Sequence, residues 1–150
     1  MTGAHKLSLA VQYASTAKKI PTRQQFRRWV KAALERDVQM VLRIVDEIEG
    51  RALNRSYRGK DYATNVLTFV YDDMPGGTLS GDVVICAPVV AREAKEQRKD
   101  LLAHYAHLTI HAVLHLQGYD HQKQREAARM EARETALLLK LRYPAPYLVS

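Results

Sequence analysis

The run His111-Ala-Val-Leu-His115-Leu-Gln-Gly118-Tyr-Asp-His121 decides how the rest of the chain is read. Two histidines four positions apart on a helix lie about 40° apart around its axis, with Cβ atoms about 5–6 Å apart. Both imidazoles can then reach one ion at about 2.0–2.1 Å from each nitrogen. Gly118 stands where such a helix would stop in the left-handed conformation, and the returning chain can bring His121 to the same ion. Three neutral nitrogens on one side of a divalent metal leave a position open for water or substrate. That is the arrangement of a site that performs chemistry rather than one that staples a fold. A histidine pair at this spacing is, taken alone, more often a surface or core feature. The third histidine behind the glycine weighs toward ligation. So do the apolar Val113, Leu114 and Leu116 around the pair, because a buried imidazole without a partner is costly.

The same helix carries more histidine. His104, His107, His111 and His115 follow one another at steps of three, four and four, forming one stripe. His107 reads equally as a hydrogen-bonding partner behind a ligand and as an ordinary core histidine. His104 reads as solvated. Asp120 reads as the cap of a helix starting near Gln122, with orientation of His121 as the alternative. The spacing is similar to the metzincin protease pattern His-Glu-x-x-His-x-x-Gly-x-x-His. Ala112 stands where those proteases carry the glutamate that deprotonates metal-bound water. The cage is present and the protease base is missing, so peptide hydrolysis by that route is not expected.

The chain of 150 residues is expected to form one domain, residues 1–150, with a respectable core. Its 47% hydrophobic and 26% charged residues argue for a globular protein and against disorder. No apolar run approaches the roughly 20 residues that span a bilayer, and the start shows no basic-then-apolar signal segment. The single cysteine, Cys86, falls in the strand-like run Val83-Val84-Ile85-Cys86 and reads as a small core residue. A reducing cytoplasm is the expected location. The excess of 23 Lys and Arg over 16 Asp and Glu gives +7, which suits a polyanionic partner such as nucleic acid.

Periodicity places the elements. Leu7, Leu9, Val11 and Tyr13 alternate as in a half-buried strand. Thr22 and Gln25 have capping-box spacing before an amphipathic helix over about residues 23–35. Its outer stripe of Arg23, Arg27 and Lys31 reads as a solvated face in preference to an RNA-contacting one. Val38, Met40, Leu42 and Ile44 mark a second strand. Asp46 and Glu49 then open a helix that runs toward Tyr57 and stops at Gly59. Strands are expected at Val66–Tyr71 and Asp82–Cys86, around a turn-rich loop over residues 72–77 that reads as a flexible insertion. From Pro88 to Gln117 the pattern is helical, with a break near Lys99-Asp100 where Asp100 caps the histidine helix. A last helix over about residues 122–141 presents Met130, Leu137, Leu138 and Leu141 to the core, and Tyr143–Tyr147 is extended. The expected class is α+β: a small mixed four-stranded sheet packed with about five helices, one of them a zincin-like metal helix.

The histidine run, together with Leu53-Asn54-Arg55-Ser-Tyr57-Arg58-Gly59-Lys60-Asp61, Thr64-Asn65-Val66-Leu67-Thr68-Phe69 and Gly81-Asp82-Val83, resembles the bacterial YbeY family. The resemblance extends from the second strand through the last helix, and the histidine block is its most specific part. It implies a single-strand-specific, zinc-dependent endoribonuclease acting in ribosomal RNA processing, notably at the 3′ end of the small-subunit RNA, and in ribosome quality control. The implied partners are ribosomal RNA and the small ribosomal subunit, with no membrane and a monomeric state. The implied ligands of one Zn2+ ion are His111, His115 and His121, and the implied catalytic residue is Arg58. Ala112 replaces the family's usual glycine, and Thr68 stands where serine is common. Three imidazoles also suit nickel, copper or iron, zinc being the commonest choice. No general base stands out near the histidines, so water and the RNA 2′-hydroxyl are alternative nucleophiles. Two other classes share the cage: a metallopeptidase or small-molecule hydrolase, and a non-catalytic ribosome-binding factor with structural zinc.

Overall fold

The computed structural model describes residues 5–73, 76–120 and 122–147. In chain order these form β1 (Leu7–Ala14), α1 (Arg23–Ala32), β2 (Val38–Val45), α2 (Glu47–Arg58), β3 (Val66–Asp72) and β4 (Leu79–Cys86). Three helices follow: α3 (Ala87–Glu96), α4 (Leu101–Leu116) and α5 (Gln124–Lys140). The sheet has the order β1-β2-β4-β3. β1, β2 and β4 run parallel, and β3 is antiparallel to β4. A mixed four-stranded sheet with five helices is the α+β architecture the periodicity implied. No helix among the described residues is long and apolar enough to cross a membrane.

Strand alternation sends successive side chains to opposite faces and so divides the core in two. Met40, Leu42 and Ile44 of β2, with Val83 and Ile85 of β4, enter the main core alongside Phe26 and Trp29 of α1, Ile110 and Leu114 of α4, and Met130 and Leu138 of α5. Val45, Val84 and Cys86 point the other way, into a smaller cluster with Leu67 and Val89, against which Leu53 of α2 packs. The histidine helix therefore belongs to one face of the sheet and α2 to the other. Cys86 is a buried core residue, as expected, and burial raises its thiol pKa.

Local signals set the helix ends. Thr22 and Gln25 close a capping box, with Gln25 N donating to Thr22 Oγ1 at 3.2 Å and Thr22 N to Gln25 Oε1 at 2.9 Å. Gly59 ends α2 at φ 69°, a conformation that disfavours a side chain. The break before the histidine helix lies where expected, and Asp100 Oδ2 accepts the Ala103 N–H at 3.0 Å.

Three expectations need correction. α1 ends at Ala32, short of residue 35, because Ala33 already turns back onto Val30 and Lys31. Asp46 occupies the N-cap position of α2 but its side chain does not cap that helix. It instead accepts hydrogen bonds from the Ser15 and Thr16 side chains and the Thr16 N–H, tying the end of β1 to the start of α2. α5 starts at Gln124 with Lys123 at the cap, so Asp120 is not a helix cap: its Oδ1 accepts the Gln122 N–H at 3.0 Å and shapes the preceding turn. The loop over residues 72–77, read as a flexible insertion, is described only at its flanks, where Arg36 bonds Asp73 Oδ1 at 2.5 Å and the Gly77 carbonyl at 2.7 Å. Met74 and Pro75 lie outside the described residues.

Gly81 is where the histidine helix meets the sheet. A Cβ there would lie 2.6 Å from the Phe69 carbonyl oxygen of β3 and 3.0 Å from Leu116 Cδ2 of α4. Backbone blocks one side and the end of the histidine helix the other, so there is little room to relax. Gly81→Ala is expected to destabilise the fold by about 1–3 kcal/mol through overpacking, measured as a lowered midpoint of urea unfolding at unchanged slope.

Candidate metal centre

α4 packs against α1, α3, α5 and the sheet, so ten of its residues are buried and its polar side chains must find partners inside the protein. His111 and His115 lie one turn apart on it, half-buried. Gly118, at φ 106°, and the Tyr119 N–H, which donates to the Leu114 carbonyl at 3.1 Å, turn the chain back after the helix. The return expected from the sequence is therefore present. His121 lies outside the described residues. Among the described residues no group of three His, Cys, Asp or Glu side chains is placed to hold an ion, and the third expected ligand is not one of them.

What surrounds the pair fixes its chemistry. His111 Nδ1 lies 2.5 Å from Glu134 Oε2, and His115 Nδ1 lies 3.1 Å from the Tyr119 carbonyl oxygen. An ionised carboxylate and a carbonyl only accept, so both rings carry their proton on Nδ1. In the neutral ring, the form that binds a metal, Nε2 is then the nitrogen that carries the lone pair. Metal-ligating histidines are prepared in this way, with the far nitrogen tied to a carboxylate or carbonyl that fixes ring angle and tautomer. The donor set fits a borderline divalent ion such as zinc.

Glu134 was not singled out from the sequence. It is fully buried, at 0% exposure, between α4 and α5. Besides His111 it accepts from His107 Nε2 at 2.9 Å and from the Tyr147 hydroxyl. Burial alone would raise its pKa, but the hydrogen bonds from His107, His111 and Tyr147 outweigh burial and hold it at about 2. The signal was present: Met130, Glu134, Leu137 and Leu138 fall on one face of α5, so a charge sits inside an apolar stripe. His107 is thereby a partner of Glu134, one of the two roles left open for it.

His104 is not solvated, contrary to expectation. It is 4% exposed, and its Nε2 lies 3.0 Å from Glu93 Oε1 of α3. Burial would raise the Glu93 pKa, but His104 and Asn65, which donates to both oxygens at 3.1 and 3.2 Å, bring it below its ordinary value. Among the described residues, Nδ1 of His104 and of His107 are buried without a partner. Arg58 ends α2, on the other face of the sheet, exposed and bonded to Asn54 Oδ1 at 3.4 Å.

The family model for the endoribonuclease YbeY matches residues 10–142. The chain belongs to the YbeY family. It is 59% identical to the endoribonuclease YbeY of Thiobacillus denitrificans over 96% of this chain and 98% of that protein. It is 57% identical to that of Nitrosomonas europaea, over 96% of this chain and 87% of the relative. TM1509 of Thermotoga maritima, solved in solution, shares the fold with a TM-score of 0.51 at 20% identity, over 89% of this chain and 91% of that one. The family resemblance seen in the histidine run, α2 and β3 thus holds over nearly the whole length.

Two outcomes follow from the buried Glu134 and the half-buried Glu93. Glu134→Ala strands three donors in the core and is expected to cost on the order of 3 kcal/mol, well beyond Glu131→Ala one turn earlier, by urea denaturation. Glu93 has a lowered folded pKa, so its stabilisation is present above the unfolded carboxylate range, about 4.3. It is lost as pH falls through the lower folded value. The stability gap between the protein and Glu93→Gln should accordingly be widest near neutral pH and close on acidification, in unfolding curves recorded across that range.

Proposed function

We propose that the chain is a metal-dependent endoribonuclease in which His111, His115 and His121 hold one zinc ion and Arg58 engages the RNA. The observation that carries this is the pair of Nδ1 anchors, Glu134 for His111 and the Tyr119 carbonyl for His115, which prepares two adjacent Nε2 lone pairs on one helix. Membership of a family whose relatives are endoribonucleases supplies the substrate class. When bound, the ion supplies electrophilic stabilisation of the scissile phosphate or an acidified water.

The chain's own groups do the rest. Arg58 offers a planar fork of donors matched to phosphate oxygens, and its 3.4 Å bond to Asn54 is long and readily exchanged. Arg55 and Lys60 are exposed beside it, while Arg51 is engaged by Asp61 at 2.9 Å. Glu134 cannot serve as the base: three donors occupy it, and a carboxylate held at about pKa 2 accepts protons poorly. It orients His111 instead.

The finer reading is a single-domain, monomeric enzyme of the cytoplasm that acts on single-stranded segments of ribosomal RNA at the small-subunit 3′ end. A charge of +7 and one buried cysteine support it. His115→Ala should abolish both zinc retention and RNA cleavage. Arg58→Ala should keep zinc and lose cleavage by about 10²–10³-fold, the scale for a positioned donor to developing charge. Metal analysis of the purified variants, coupled to cleavage of a small-subunit RNA precursor, reads both. Undiminished cleavage by zinc-free His115→Ala would remove the reading. Mass spectrometry of the cut ends then identifies the nucleophile, a 2′,3′-cyclic phosphate marking attack by the RNA itself.

A further inference from the structure

Glu134 is held from three directions, and one of its donors comes from neither helix of the pair. Tyr147, in the segment after α5, gives its hydroxyl proton to Glu134 Oε1, the oxygen that also takes the His107 Nε2–H at 2.9 Å. Oε2 takes the Nδ1–H of His111. The terminal torsion of a glutamate is broad and weakly determined. Two donors converging on Oε1 therefore define the plane in which Oε2 meets the imidazole. The Tyr147 ring also meets that of His107 edge-on, with centroids 5.3 Å apart at 88°.

The segment carrying Tyr147 is built to stay in place. The Tyr143 N–H donates to the Leu138 carbonyl at 2.8 Å, and the Tyr143 ring packs edge-on against Trp29 with centroids 6.1 Å apart. Lys99 Nζ, just before α4, donates to the Pro146 carbonyl at 3.2 Å. Pro144 and Pro146 fix φ on either side of Ala145, so the stretch has less backbone freedom to lose on ordering. Burial, then the hydrogen bond to Glu134 and its charge, drives the Tyr147 pKa far above its ordinary value, and the phenol stays a donor at any working pH.

We propose that Tyr147 is a positioning residue of the histidine centre: its hydroxyl locks the Glu134 carboxylate, which in turn holds the His111 ring with Nε2 toward the ion. This rests on His111 being a metal ligand, as proposed above. The α4–α5 pair alone would hold Glu134 through histidines of its own helices. The strap adds an anchor from outside, so the angle of a ligand depends on a segment more than two dozen positions downstream.

The test is Tyr147→Phe, which removes one oxygen from a ring that is 44% exposed and keeps its packing on His107. In the metal-free protein, long-range proton–nitrogen NMR correlations of the imidazoles should show His111 as a single Nδ1–H tautomer, and the variant should mix in the Nε2–H form. Zinc affinity, measured by competition with a chromophoric chelator, should fall by about 10–100-fold, the usual loss when a partner behind a ligand is removed. The absorption spectrum of the cobalt(II)-substituted variant should change with it. A merely structural Tyr147 would lower stability and leave tautomer, affinity and spectrum alone, and that result overturns the proposal. A parent protein that binds no zinc refutes the metal reading instead. The tautomer in the metal-free protein then still decides whether Tyr147 positions His111.

Discussion

A carboxylate without exposed surface, ringed by three donors, is the constraint on which the centre depends. An ionised Glu134 transferred alone into an apolar interior would take up a proton rather than remain charged. It remains charged because His107 and His111 from α4 and Tyr147 from the following strap all donate to it. Each donor is needed by the other two, since loss of one raises the cost of the charge they share. The contacts of Met130, Leu137 and Leu138 around it contribute much of the burial but are not directional. Apolar packing brings α4 and α5 together, and the hydrogen bonds set the rotation at which they meet.

The sheet supports this arrangement from beneath. Because β1, β2 and β4 are parallel, the connections between them cross over, and helices cover both faces. The main face takes α1, α4 and α5, and the missing side chain of Gly81 lets Leu116 settle almost onto the backbone of β4. The end of α4 that carries His115 is thus fixed by the sheet, while the segment around His111 is fixed by α5 and the strap. The two histidines hold their rings by separate means, one through a side-chain charge and the other through the turn that ends its own helix.

How much of this could be read beforehand divides along the range of the interactions. Strand alternation, the Thr22 capping box, the Gly59 and Gly118 stops and the Asp100 cap are local, each encoded within about four residues, and all are found where the pattern put them. The errors occur where a polar side chain had a distant alternative. Asp46 caps its helix by spacing but is taken by Ser15 and Thr16 from the end of β1. His104 looked solvated because nothing near it in sequence announces Glu93 across the α3–α4 break. Glu134 was legible only as an anomaly, a charge in an apolar stripe, and its partners lie 13 to 27 positions away. The expected ligands stood out in the sequence because a metal site would impose a short, regular spacing on its own helix.

The same carboxylate also narrows the chemistry. In a hydrolase of the metzincin type a glutamate beside the first ligand takes the proton from water. Here Ala112 fills that position and packs into the main core. The carboxylate that the fold does place against the histidines is turned to the far side of His111, saturated with donors and held well below the ordinary glutamate range. It raises the basicity of the imidazole it holds and gives up its own capacity as a base. With a metal ion bound, such a centre would be suited to withdrawing electron density from a substrate oxygen, and its own carboxylate is poorly suited to proton abstraction. That bias favours an anionic substrate whose transition state gains charge on non-bridging oxygens. On this argument the missing protease base and the excess of basic residues are two aspects of one adaptation, toward phosphate and away from the amide carbonyl.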